Sequence, residues 1–363
     1  MKAPALGSGN EARGFTLVEL MIGMTVGLFV ALAAISVFVS TRSLQTVSTA
    51  DTRMNENARL ALDILHVDLR NAGFQGCHQH ESLPVDNLLT DSNNLFLGSA
   101  TNLNVSGVYA VHGTGSGFSP ALNGVLAALA KPPDPNSDVL SIRVPVEPLS
   151  LGLSTPMTTS TGAPQVGVST PGNVFQSGDV ALIANCKAGA IFQVTSATPA
   201  ATGVLTHATG GGFDPGNAGA DLKNVYRGDS AVYRLQTRHY YIADSVATPG
   251  TKSLWRYTFP SAAPRAQEVV AGIDRMVISF GLDTGTANDR DLTVNRYVTA
   301  DALTAVQWES VLAARIQLLS TTVRDGVTLT PQAASFAGST VAATDRRKRS
   351  EVTEVVTLRS RAP

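Results

Sequence analysis

From Phe15 the chain runs FTLVELMIGMTVGLFVALAAISVFVS, and between Phe15 and Arg42 its only charge is Glu19. A segment this apolar on every side has to be covered all round, so it cannot be the one-sided helix of an ordinary globular core. Residues 20–40 as a helix would extend about 31 Å at about 1.5 Å per residue, which matches the hydrocarbon of a bilayer. A removable secretory signal has an apolar region of only about 7–15 residues and then a small-residue cleavage site. Here the run is longer and a polar helical pattern continues directly from it, which predicts a span that stays with the protein. Lys2, Arg13 and the α-amino group precede the span, while Arg42 just after it is soon followed by Asp51. The positive-inside bias therefore puts the first residues in the cytoplasm and everything past about residue 41 across the membrane.

The helical period does not stop at the membrane. Leu44, Val47, Met54, Ala58, Ala61 or Leu62, Leu65 and Leu69 recur at three- and four-residue steps, and no Pro or Gly falls between residues 28 and 72. One continuous helix over about 16–72 is expected, roughly 85 Å long. Gly73 is suited to a left-handed stop. The apolar set drifts instead of holding heptads, which argues against a dimeric coiled coil.

The 363-residue chain as a whole is 44% apolar but only 15% charged, against about 25% charged in an average soluble domain. Gly, Ser, Thr, Ala and Pro fill the difference and predict a loop-rich, β-rich body. Strands are expected at 138–147, 179–185, 190–196, 230–243, 253–258, 268–282, 311–323 and 351–359, with a short helix at about 300–309. Lys187, Ala188 and Gly189 supply the turn of a hairpin between the second and third of these. The Ser/Thr/Gly/Pro-rich stretches 82–136, 148–177, 199–228 and 331–345 are expected as surface loops or semi-disordered insertions. If the body lies in an oxidising compartment, the two cysteines, Cys77 and Cys186, should pair.

Little in the body points to catalysis. A net charge of −1 removes the long-range field on which bulk nucleic-acid binders rely. Cys77, His78 and His80 have no tight metal-ligand spacing. Gly113–Gly117 (GTGSG) lacks the strand–loop–helix context of a phosphate cradle and reads as a loop. Asp283, Asn288, Asp289 and Asp291 crowd oxygen ligands into one loop and are a weak calcium candidate, but they lack the ligand order of a calcium-binding loop. Asp345 and the four bases Arg346–Arg349 read as a solvated lead-in to the last strand, and His239-Tyr240-Tyr241 as core. With no acid–base or nucleophile constellation, no cofactor and no enzymatic activity are expected.

Glu19 is the anomaly, because a carboxylate in an apolar span costs roughly 2.5–3.5 kcal/mol on insertion scales unless it has a partner or a task. With Gly14, Phe15 and Thr16-Leu17-Val18 it spells G-F-T-L-V-E, which resembles the type IV prepilin motif of type IV pilins and type II secretion pseudopilins. The resemblance implies an α+β pilin-like fold: a long N-terminal helix, membrane span plus amphipathic stalk, packed on an antiparallel β-sheet body with long loops. It also implies cleavage by a prepilin peptidase between Gly14 and Phe15, methylation of the new Phe15 amine, and charge pairing of Glu19 with a neighbouring subunit's amine. Where many major pilins carry a helix-kinking proline, this chain has Ser36. Gly23 and Gly27 match the small-xxx-small spacing of packed membrane helices.

N-A-G-F-Q-G-C after the stalk, residues 178–186, residues 270–281, the Trp308 segment leading into 313–319, and the terminal 353–361 are similar to PilW-type minor pilins. That family implies a leader at 1–14, a transmembrane or filament-core helix at 15–40, an amphipathic stalk at 41–73 and an exported body at 74–363. The subunit would sit in the inner membrane, N-terminus cytoplasmic and body periplasmic, and then enter a pilus. Its implied role is priming or capping the filament. The implied partners are prepilin peptidase, other minor pilins and the major pilin, the inner-membrane assembly platform, the lipid bilayer, and a large tip adhesin. Two alternatives share these features: a J-like minor pseudopilin of type II secretion, and a pilus-tip binding module.

Overall fold

The computed structural model describes residues 14, 16–76, 85–90, 107–122, 124–160, 165–169, 175–210, 212–213, 215–259, 265–285, 291–304 and 306–360. They fall into two compact units, Met1–Asp51 and Thr52–Pro363.

Helix α1 runs unbroken over Leu17–Arg70, close to the expected 16–72. In the first unit its apolar side chains are exposed all round, Phe29 at 73% among them. Three hydroxyls there turn inward: Thr25, Ser36 and Thr41 each donate to a carbonyl three or four residues back at 2.8 Å, which satisfies them within the helix.

In the second unit the same helix buries one stripe, Met54, Ala58, Ala61, Leu65, Asp68 and Leu69. The periodic set read from the sequence holds here, whereas Leu44, in the first unit, is 70% exposed. The helix stops as expected: Gly73 takes φ +67°. A Cβ on Gly107 would fall 2.2 Å from the Gly73 backbone, so the helix end and the start of the next buried strand meet glycine to glycine.

The strands are β1 (Val85–Asn87), β2 (Val108–Gly113), β3 (Phe118–Ser119), β4 (Val139–Gly152), β5 (Gln165–Gly167), β6 (Val180–Ala184), β7 (Gly189–Gln193), β8 (Val204–Thr206), β9 (Ala231–Asp244), β10 (Lys252–Phe259), β11 (Ala266–Ala271), β12 (Ile273–Leu282), β13 (Arg296–Thr299), β14 (Val311–Thr321), β15 (Ala334–Phe336), β16 (Ser339–Val341) and β17 (Arg349–Thr357). The larger sheet has the order β1-β7-β6-β9-β4-β2-β3, with β10 and β11 continuing from β9. A second sheet has the order β13-β12-β14-β17. All pairings are antiparallel except β1 with β7. The α+β pilin-like fold expected from the sequence is therefore present.

The helix stripe, both sheets and Trp308 share one core. The Trp308 ring lies 5.1 Å from Tyr109 and 4.8 Å from Phe280. A second core gathers Val166, Phe175, Phe192, Leu205, Leu222 and Tyr226. The sheets are stitched at Asp138, whose N–H donates to the Met276 carbonyl at 2.8 Å and whose Oδ2 accepts from the Ile278 N–H at 2.7 Å. Its Oδ1 accepts from the Gly113 N–H and meets His112 Nδ1 at 2.8 Å.

Several expectations need correction. The 82–136 stretch is not all surface loop, since β2 lies in the sheet with Val108–Val111 buried. Its short apolar run, covered on both faces, shows none of the alternation by which half-buried strands are recognised. The 268–282 strand is two strands in different sheets, turned at Gly272 with φ +77°. The helix at 300–309 is two short 3-10 turns, Ala300–Ala302 and Gln307–Ser310. β4 runs on into the expected 148–177 loop, β8 with buried Leu205, Leu222 and Tyr226 occupies 199–228, and β15 and β16 form a hairpin within 331–345. Arg296–Thr299 was not anticipated as a strand.

Two buried histidines set an acid limit. Burial lowers His207 from 6.5 to about 4 and His239 to about 3. As pH falls below 6.5 the unfolded chain takes protons that the native rings refuse, so stability drops through that window at up to about 1.4 kcal/mol per pH unit for each ring. His112 acts oppositely: its hydrogen bond to Asp138 raises it, so its contribution is complete below 6.5 and is lost as pH rises through the raised value. Urea titrations of His207→Phe between pH 4 and 6.5 should show a shallower loss of stability than the parent; an unchanged slope contradicts the assignment.

Candidate functional site

The head of α1 carries the chemistry. Gly14 is exposed with nothing near its Cα, and Phe15 lies outside the described residues. Thr16 and Glu19 close a reciprocal cap. The Thr16 N–H and Oγ1 both donate to Glu19 Oε2 at 3.0 Å, and the Glu19 N–H donates to Thr16 Oγ1 at 3.2 Å. This is the Thr-x-x-Glu capping box, which satisfies donors that a helix start otherwise leaves open. The carboxylate also meets the positive end of the helix dipole. The expectation for Glu19 was a partner in a neighbouring subunit, and the cap within its own helix was missed, although T16-L-V-E19 spells it.

The cap uses one carboxylate oxygen. Among the described residues Oε1 has no partner, so Glu19 can hold its own helix start and still receive a cation. One turn further on, Gly23 and Gly27 face open space, leaving room for a second helix backbone to approach closely.

A second charged site lies where the stalk meets the body. Asp68, 4% exposed, accepts from Arg238 Nη1 and from the Tyr240 hydroxyl, both at 2.6 Å. A buried carboxylate with a guanidinium and a phenol fixes the rotation and axial position of the helix on β9 more sharply than the apolar stripe can. The sequence signal was an acid one residue short of Leu69 within the apolar period. His66 Nδ1 meets Glu354 Oε1 on β17 at 2.5 Å, tying the same turn to the last strand.

The remaining candidates serve the fold. Asp283 accepts from the Gly285 and Leu292 N–H groups, and Asp291 from Thr293; Asn288 and Asp289 lie outside the described residues. Among the described residues no group of three or more His, Cys, Asp or Glu is placed to hold a metal ion. Gly113–Gly117 forms the β2–β3 turn, closed by the Thr114 N–H on the Gly117 carbonyl. The basic lead-in to β17 is tied down more than a solvated segment: Arg349 binds Asp274 and Asp345, and Arg347 donates to the Gly250 carbonyl. Tyr240 and Tyr241 are core, and His239 Nδ1 pairs with Ser141 Oγ at 2.7 Å. Cys186 lies in the β6–β7 turn, Cys77 lies outside the described residues, and no free cysteine occurs among those described.

Residues 10–35 match the prokaryotic N-terminal methylation motif. That motif, at the head of an exposed apolar helix running into a β-sheet body, defines a type IV pilin-like subunit with a membrane-anchoring N-terminus. Residues 239–360, from the second half of β9 through β17, match the family described as Type IV Pilus-assembly protein W. The resemblance to minor pilins of the PilW type is thereby borne out, and both matched families are structural components of pili and not enzymes. No curated protein and no solved structure matches the chain.

Thr16→Val should keep Glu19 but remove its cap, at a cost of about 0.5–2 kcal/mol to the first turn. Amide exchange of residues 17–20 in micelles should quicken accordingly; unchanged exchange would mean that the box contributes nothing.

Proposed function

We propose that this chain is a minor pilin that primes or caps a type IV pilus together with other minor pilins. The observation that carries the reading is one chain joining the methylation motif, on an apolar helix with no cover of its own, to a body of the pilus-assembly W type. Prepilin peptidase removes residues 1–14 on the cytoplasmic side and methylates the Phe15 amine. The body, 74–363, resides in the periplasm while the helix waits in the inner membrane. The assembly platform then draws the subunit into the filament base.

Glu19 sets the register in this reading. A carboxylate in a low-dielectric helix bundle is tolerated once an opposite charge neutralises it, and one such pair selects a single axial offset between neighbouring helices. Oε1 is the oxygen available to the Phe15 amine of the adjoining subunit, while Oε2 keeps the cap. The match to a pilus-assembly family favours this reading over a type II secretion pseudopilin.

We also propose that Cys77 and Cys186 pair. A Cβ on Gly76 would lie 3.1 Å from the Ala184 Cβ, so the residue before Cys77 packs on the end of β6, two residues short of Cys186. Closing a loop of about 110 residues is worth roughly 4–5 kcal/mol in the chain-entropy picture.

Glu19→Leu should still be cleaved yet be missing from sheared filaments, and piliation should fall with it; normal incorporation contradicts the pairing. Peptide mapping without reductant should recover one peptide joining Cys77 to Cys186, and recovery of two free thiols contradicts the bond.

A further inference from the structure

The end of the body at which the stalk arrives is marked out by a run of hydrogen bonds. The Asn57 side-chain amide donates to the Ala271 carbonyl at 3.0 Å. The Gly272 N–H donates to the Lys252 carbonyl, and the Thr321 N–H to the Gly272 carbonyl. From there the Thr322 N–H reaches the Lys348 carbonyl, the Thr328 N–H the Arg346 carbonyl, and Arg347 Nη1 the Gly250 carbonyl. β17 gives the direction. Its Glu354 meets His66, and Ser360 beyond it meets Ala72, so strand and stalk advance together. The start of β17 and the loops bonded to it therefore lie on the side of the body from which α1 comes. Three segments form that side: 245–251 between β9 and β10, 322–333 after β14, and 342–348 before β17.

Their tips are apolar and uncharged. No charged residue falls in 245–251 or between Gly326 and Thr344. Leu329, 93% exposed, is the most exposed large apolar side chain among the described residues, and Val246 stands at 61%. Ala247, Pro249 and Pro331 are exposed on the same loops.

Charge does not select a partner for this side. Arg349 is paired with Asp274 and Asp345, Arg347 with Asp345, and Lys252 with Asp134. At the surface Arg53, Arg324 and Arg346 stand in equal number to Glu56, Asp244 and Asp325, and half-buried Lys348 adds a single positive charge. What the surface offers is apolar tips set among threonines and serines, a mixture that suits the boundary between headgroups and acyl chains.

We propose that Leu329 and Val246 dip into the lipid headgroup layer beside the chain's own span and hold the body tilted against the bilayer. A lipid surface is the partner that the span brings to this side of the body, so the contact continues one that the chain already makes. The span also acts as a tether, and a contact too weak to recruit a free protein suffices once the protein is held nearby. Spanning helices tilt readily, which brings one side of a body down toward the lipid. With charge balanced, zwitterionic lipid is enough. The inference rests on the apolar helix being a membrane span and not on which filament the chain serves.

The test uses the full chain in nanodiscs of phosphatidylcholine brominated high on its acyl chains. Trp255 and Trp308 are both buried, and bromine should leave their emission in the parent unchanged. Leu329→Trp should add blue-shifted emission that bromine quenches, equally with and without anionic lipid. Val306→Trp, exposed just ahead of the far end of β14, should add emission that bromine spares. Val246→Asp, made in the Leu329→Trp chain, should relieve the quenching. Phe29→Trp reports the span separately and should be quenched by bromine placed deep in the acyl chains. Quenching of Phe29→Trp without quenching of Leu329→Trp overturns the contact and leaves the span intact. A Leu329→Trp signal that is blue-shifted yet unquenched means that protein covers the tips, which also overturns it. Quenching that needs anionic lipid, or that Val306→Trp shares, contradicts it equally. An unquenched Phe29→Trp would overturn the span itself, and the contact with it.

Discussion

Apolar surface that needs covering is the constraint to which the other features answer. The first half of α1 is apolar on every side, and the second half along one stripe. The stripe finds its cover in the chain itself, through Met54, Ala58, Ala61, Leu65 and Leu69. Fully burying a side chain such as Leu65 is worth about 1.5–3 kcal/mol, but apolar contact alone would let the helix slide or roll. Asp68 removes that freedom, because its guanidinium and phenol partners fit one placement only. The other half finds its cover outside the chain, in lipid or in other helices, and this is what makes the protein an assembling one.

In the proposed reading the acid at the head of the helix has two tasks that do not compete. One oxygen of Glu19 closes the capping box with Thr16, so the helix begins at a defined residue. The other oxygen is the one the proposed pairing would give to a cation, in a bundle where a single ion pair would be worth more than at a solvated surface. A capped helix start presents that oxygen in a fixed place, which suits a pair meant to set register.

Much of this was legible in the sequence. The span, the stalk period, the Gly73 stop and most long strands followed from apolar spacing, because half-buried helices and strands display their burial as a rhythm. Elements buried on both faces did not: β2 has no alternation to read, and Gly272 hides a change of sheet inside what looks like one strand. Asp68 was missed because an acid within an apolar stripe reads as a solvated neighbour until its partners, Arg238 and Tyr240, some 170 residues away, are brought beside it. The Thr16–Glu19 cap needed no tertiary information, but Glu19 was read for pairing between subunits instead of for the chemistry of its own helix start.

The proposed role requires the chain to be a processed prepilin, with Phe15 as the residue exposed by cleavage. Intact-mass and N-terminal peptide spectra of the protein recovered from membranes test that most directly. The predicted species begins at an N-methylated Phe15 and lacks residues 1–14; a population still beginning at Met1, or cut elsewhere, would contradict it.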